Sequence, residues 1–303
     1  MIKKTLYFGN PMYLSCRNQQ LVISVPHAKG IDHLLDHTVP IEDIGVVILD
    51  HKQITITQTL ITQLLENNVA MITCDDSHLP KGLMLNLAGH TLQQTRFQAQ
   101  LEATVPLKKN LWQQTVQAKI RNQAAILRRI GVGTENMMHW LHEVKSGDTE
   151  NHEARAAAYY WKNFLPVTHQ FTRQRDGIPP NNLLNYAYAI IRAVVARGLV
   201  ASGLLPTFGI FHRNQYNAYC LADDVMEPFR PFADWMVREW VMSAKPYTEL
   251  TKDIKKELLL LPTVDVLMEE KRSPLMVGLQ RTTASLVACF EGTSRKIIYP
   301  EMP

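Results

Sequence analysis

Cysteine is scarce and unpaired in this sequence. Cys16, Cys74, Cys220 and Cys289 show no CxxC spacing, and each lies among apolar neighbours. A disulfide framework is therefore excluded, which suits a reducing compartment. No GxxxxGK[ST] loop occurs, so hydrolysis of a nucleoside triphosphate has no phosphate cradle. HExxH is missing too; His139-Trp140-Leu141-His142-Glu143 has the wrong order for a zinc hydrolase and reads as a polar helix face. The opening MIKKTLYFGNPM lacks the apolar stretch of roughly 7–15 residues that marks a secretory signal. The most membrane-like run, Ala187–Leu205, carries Arg192 and Arg197 near its middle, where a bilayer disfavours them, so it reads as a buried helix. These absences together predict a cytoplasmic protein with no membrane partner. Repeats and low-complexity tracts are absent as well.

What is present is an ordinary globular composition, 46% hydrophobic and 20% charged over 303 residues, a length that favours two domains. The net charge of +4 is compatible with a polyanionic partner and decides nothing alone. Up to about residue 85, short β-branched and aromatic runs alternate with turn signals. Thr5–Phe8 precedes Gly9-Asn10-Pro11, and Met12–Cys16 and Leu21–Val25 flank Arg17-Asn18-Gln19-Gln20 as a hairpin would. Val46–Leu49, Gln53–Thr57, a short helix over Thr59–Glu66 and a strand over Val69–Cys74 follow. From about Leu92 the period becomes helical. Trp112, Val116, Ile120, Leu127 and Ile130 mark one face of a long helix that Gly131 and Gly133 stop. Helices are expected over Glu153–Trp161, Leu183–Leu199, Gln215–Met226, Pro231–Ser243, Thr251–Leu260 and Leu275–Phe290, with a loose tail at Ser294–Pro303. The fold class is α+β: a small, mostly β domain over residues 1–85, then a larger all-α domain over residues 86–303.

Two segments carry candidate chemistry. In Gly147-Asp148-Thr149-Glu150-Asn151-His152-Glu153, Asp148 or Asn151 can cap a helix whose first turn holds Glu153. The helix dipole there favours the ionised carboxylate that a metal ligand must be. Taken alone, such a Glu reads more readily as an exposed residue complementing the dipole. In the second segment, Asn217, Cys220, Asp224 and Glu227 are spaced as one helical stripe, and Pro228 puts Glu227 at a kink or end. His212 lies before the stripe, and Arg230 can pair with its acids or reach a phosphate. Two carboxylates and an imidazole form a mostly hard donor set, which suits Mg²⁺ or Mn²⁺ better than structural zinc. Such a cation polarises a phosphoryl oxygen, the chemistry of phosphodiester cleavage and strand transfer.

The stretches GDTENHEARAAAYYW and GIFHRNQYNAYCLADDVMEPFRPFAD closely resemble the CRISPR adaptation integrase family, Cas one, in its type II branch. The order of the segments and the layout of the chain match along nearly its whole length. The resemblance implies a metal triad of Glu153, His212 and Glu227, with Asp224 as an assisting acid. It implies insertion of short foreign DNA fragments into the CRISPR array by direct transesterification, each fragment's 3′-hydroxyl attacking a phosphodiester of repeat DNA. It also implies a homodimer, with the β domain in the dimer contact, bridged by a small ferredoxin-like partner, Cas two. The type II RNA-guided effector nuclease is a further implied partner.

Basic residues supply candidate contacts to a DNA backbone: Lys108, Lys109, Lys119, Arg121, Arg128 and Arg129 on the long helix, Arg173 and Arg175 in a loop, and Arg213 with Asn217 near the acids. A solvated helix face explains the first group equally well. Two other functions stay open on the residues alone. One is a general metal-dependent nuclease in DNA repair. The other is a non-catalytic DNA-binding scaffold whose acids pair with Arg213 and Arg230.

Overall fold

The computed structural model describes residues 3–25, 37–76, 78–166, 171–174, 176–243 and 245–303. The chain divides into two compact units, Met1–Gly89 and His90–Pro303.

The described residues of the first unit form two four-stranded sheets and one helix. One sheet has β1 (Lys4–Phe8), β5 (Ile44–Leu49) and β7 (Ala70–Cys74) parallel, with β8 (Pro80–Met84) antiparallel at its edge. The other runs β4 (His37–Pro40), β3 (Gln20–Ser24), β2 (Met12–Arg17), β6 (Ile54–Ile56). The β2–β3 hairpin turns through Asn18 and Gln19, both at positive φ, and that backbone matches the right-handed twist of the strands it joins. Helix α1 (Gln58–Glu66) is capped by Thr57, whose hydroxyl accepts from Leu60 N. Leu60 and Leu64 on α1 are fully buried with Phe8, Leu14, Leu21, Ile44, Val47 and Met71, so strands and helix share one apolar core. Strands β4 and β8 carry no strand signal in the sequence. Both lie at sheet edges, where Pro40, Pro80 and Gly82 are tolerated and alternation is not required.

The second unit is built around α3 (Val105–Arg129). Thr104 caps it, and Gly131 follows it at φ +77°, a left-handed residue past the helix end. Around it stand α2 (Gln93–Glu102), α4 (Glu135–Glu143), α5 (His152–Phe164), α6 (Asn181–Ala201), α7 (Cys220–Met226), α8 (Arg230–Met242), α9 (Lys252–Leu258) and α10 (Leu275–Phe290). Helix α6 has the length and apolarity of a membrane span, but 83% of its most apolar window is buried within the protein. It is the core helix that its two arginines predict.

Three expectations need correction. The second unit is not all-α: β9 (Asp265–Met268) and β10 (Lys271–Pro274) form a hairpin between α9 and α10. Its turn residues, Glu269 and Glu270, both take positive φ without Gly or Asn, so the usual hairpin signal is missing. The tail is not loose. Ile297, Tyr299 and Pro300 are buried, and Glu301 pairs with Leu267 of β9. The expected helix over Gln215–Met226 begins only at Cys220; Asn217 precedes it in a turn, off the stripe.

Candidate metal centre

Glu153 sits where the local sequence dictates. Asp148, at φ +49°, turns the chain so that its carboxylate accepts from the backbone N–H of His152 (2.9 Å) and Glu153 (3.0 Å). Those are orphan donors of the first turn of α5, and Asp148 rather than Asn151 caps them. Glu153 then projects toward α3, where Lys119 Nζ lies 2.5 Å from its Oε1.

Pro228 ends α7 as the sequence requires. A 3₁₀ turn over Glu227–Phe229 carries the chain into α8, and Glu227 is buried on it. Its Oε2 lies 2.6 Å from the same Lys119 Nζ, and its Oε1 lies 2.9 Å from Arg230 Nε. Burial opposes the charge on Glu227, but Arg230 and Lys119 overcome it and hold the carboxyl down at about 2. Burial likewise opposes the charge on Lys119, and Glu227 and Glu153 more than restore it. Two carboxylates from distant segments thus meet at one ammonium.

His212 is fixed separately. Asp224, fully buried, accepts from the backbone N–H of Phe211 (2.9 Å) and His212 (3.2 Å) and from His212 Nδ1 (2.5 Å). The Asp224 bond raises the histidine, and Glu227 adds to the rise. Trp112 of α3 stacks on Phe211 at 4.1 Å and meets His212 edge-on at 5.7 Å. Gly209 has no room for a side chain: a Cβ there would lie 2.5 Å from the His212 carbonyl and 2.7 Å from Asp224 Oδ2.

Among the described residues, no three His, Cys, Asp or Glu side chains surround one point closely enough to hold an ion. Glu153 and Glu227 converge; His212 faces Asp224. The donors nonetheless suit a hard divalent cation. Glu227 is held ionised, and its buried Oε2 has no aligned hydrogen bond, only the ammonium beside it. An imidazole donating from Nδ1 to a carboxylate presents its Nε2 lone pair outward, the orientation of a metal-bound histidine. Lys119 and Arg230 together supply the positive charge that the two glutamates require.

Lys119 corrects the basic-groove reading. It is 8% exposed, so it is no part of a DNA-facing surface. Its signal was present in the sequence, since it falls three residues after Val116 and next to Ile120 on the apolar face. Lys109, Arg121, Arg128 and Arg129 are exposed, and Lys108 is half-buried. Arg121 pairs with Glu301 at 3.6 Å, and Arg129 bonds the Pro303 carbonyl and covers Trp235. Arg173 is committed within the protein, to Asn181, Asn185 and the Gln174 carbonyl. Arg175 lies outside the described residues. Arg213 is exposed, while Asn217 donates to Asp223, not to Asp224. Arg230 pairs with Glu227, the first of its two expected roles, and lies over the Tyr188 ring at 4.6 Å.

Residues 6–249 match the family model described as CRISPR associated protein Cas1. The chain belongs to the Cas1 family. A relative from Neisseria meningitidis serogroup C (strain 8013), named CRISPR-associated endonuclease Cas1, is 36% identical over 290 residues, covering 95% of this chain and 92% of the relative. Among solved structures, a casposase bound to integration product superposes with a TM-score of 0.78 at 20% identity, covering 98% of this chain and 92% of that one. A chain of a Cas6-RT-Cas1–Cas2 complex gives 0.74 at 18% identity, covering 99% of this Cas1 and 36% of that chain. The two structural likenesses establish the fold, and the family follows from sequence. The resemblance read from the Glu153 and His212–Glu227 segments is borne out at the level of the family.

Proposed function

We propose that this Cas1 is a CRISPR adaptation integrase, a divalent-metal-dependent enzyme that joins short foreign DNA fragments into the CRISPR array by phosphodiester transesterification. The observation that carries the reading is the meeting of Glu153 and Glu227 at Lys119, with His212 oriented beside them by Asp224.

Glu153, Glu227 and His212 Nε2 would hold Mg²⁺ or Mn²⁺. A cation held there would supply Lewis acidity to a phosphoryl oxygen and to an attacking hydroxyl. The protein's own part is preparation. Asp224 fixes the imidazole tautomer, and Arg230 keeps Glu227 charged in a buried place. Trp112 and Phe211 wall the histidine on one side. No nucleotide-binding loop is needed, because transesterification conserves the bond energy it uses.

Names of relatives support the wider assembly. The Neisseria relative is named an endonuclease, and the two solved structures are a casposase bound to integration product and a Cas6-RT-Cas1–Cas2 complex. That likeness supports work with Cas two; the sequence resemblance is the ground for action on duplex fragments and repeat DNA, as a cytoplasmic homodimer of the type II branch. Its β unit lies in the dimer contact, and the RNA-guided effector nuclease takes part. The test is joining of a labelled duplex to a repeat-bearing plasmid with Mn²⁺. Glu153→Ala, His212→Ala and Glu227→Ala each abolish joining while duplex binding persists. Undiminished joining by all three variants removes this site, and nicks without branched product point to a repair nuclease instead.

A further inference from the structure

One face of α3 carries Trp112, Thr115, Lys119 and Asn122 at helical spacing. Trp112 touches His212, and Lys119 touches both glutamates. Asn122 touches neither ligand side chain. It is buried, 1% exposed, and its amide makes three hydrogen bonds. Nδ2 donates to the Pro228 carbonyl (2.8 Å) and to the Pro300 carbonyl (2.9 Å), and Oδ1 accepts from Met302 N (3.1 Å). Pro228 is the middle residue of the 3₁₀ turn that presents Glu227, so one amide ties that turn to the C-terminal segment.

A second amide two turns earlier on α3 makes a matching grip on the same segment. Gln114 Nε2 donates to the Arg295 carbonyl (2.8 Å), and its Oε1 accepts from Ile297 N (2.9 Å). Each amide spans a carbonyl and the N–H two residues later, as an adjacent strand would. Thr115 Oγ1 bonds the Tyr299 hydroxyl at 2.9 Å between the two grips. The segment 295–302 is therefore held along α3, yet only the Asn122 grip reaches the turn that carries Glu227.

We propose that Asn122 is a positioning residue for Glu227, and that the C-terminal segment acts through it to set the metal-binding geometry. Short turns with few internal hydrogen bonds depend on such external partners. With Nδ2 removed, the buried Pro228 carbonyl loses this donor and the turn relaxes. Outer partners that orient a ligand typically change metal affinity by about 10- to 100-fold when lost. The inference rests on the metal-centre reading of Glu153, His212 and Glu227.

The test is Mn²⁺ affinity of the full-length chain, read from the loss of the free-Mn²⁺ magnetic-resonance signal, with duplex joining as a second readout. Asn122→Ala weakens Mn²⁺ binding by about 10-fold or more, and excess Mn²⁺ restores joining. Truncation after Tyr299 keeps Asn122 but removes the Pro300 and Met302 partners, and it shifts affinity in the same direction. Gln114→Ala loosens the other grip and lowers the unfolding temperature without changing Mn²⁺ affinity. If Asn122→Ala refolds poorly, the truncation alone decides. Unchanged affinity in the folded Asn122→Ala protein or in the truncation, or a Gln114→Ala shift as large as that of Asn122→Ala, overturns the proposal. Glu227→Ala separates the two readings: if it binds Mn²⁺ like wild type, the metal centre itself is wrong.

Discussion

The two units of this Cas1 solve the problem of an interior differently. Among the described residues the β unit buries an apolar cluster from both sheets and α1, with Asp50 as its one buried charged side chain. The helical unit buries Lys119, Asp223, Asp224, Glu227 and Asp234 at its centre, all within 8% exposure. Burying charge is a poor way to gain stability, because desolvation offsets most of the attraction between partners. The contrast separates a unit held by apolar packing from one that carries clustered charge inside.

The sharpest way to break the comparison is to remove one charge. Lys119→Met leaves Glu153 and Glu227 facing each other with their shared partner gone, and stability falls by about 3–5 kcal/mol. Leu64→Ala in the β unit costs a similar amount, about 2–5 kcal/mol, through its cavity. Calorimetry with added Mn²⁺ tells them apart: the cation restores the Lys119 variant in part and does nothing for the Leu64 variant. Equal responses would erase the distinction. A smaller effect follows from the cap of α5. Asp148→Ala loses about 0.5–2 kcal/mol by thermal unfolding, and joining activity falls with it because Glu153 lies in the turn that frays.

The gentlest test uses pH. Burial pushes Asp234 up to about 7 despite bonds from the Tyr188 and Tyr160 hydroxyls. The folded protein therefore keeps a proton that the unfolded chain releases above its ordinary carboxylate range. Stability drains away as pH rises from about 4 toward 7 and levels off above that. Glu227 has the opposite sign: held near 2, its contribution is lost only on strong acidification. Asp234→Asn cannot titrate, and its unfolding temperature loses that component of the slope between pH 4 and 7. An unchanged slope would show that Asp234 is ionised in the fold.

The same contrast decides what could be read from the sequence. Apolar periodicity located most strands of the β unit and the long helices, because burial there follows hydrophobicity. It missed β4, β8 and the β9–β10 hairpin, which are held by edge pairing and by Glu269 and Glu270 in unusual backbone conformations. At the candidate site a cap and a proline placed Glu153 and Glu227 at a helix start and a helix end, but only the family resemblance put them together. Lys119 was misread, because a lysine on a helix is normally solvated and only its register with Val116 and Ile120 said otherwise. The grip of Asn122 on Pro228 was invisible, since nothing local links a polar residue on α3 to a carbonyl so distant in the chain.

The ammonium of Lys119 has one more consequence. Proteins that rely on a metal to neutralise clustered acids collapse when it is stripped away. Here Lys119 and Arg230 already stand against Glu153 and Glu227, so the acids are held together by the protein's own side chains. A chelator is therefore expected to leave the unfolding temperature of the helical unit unchanged.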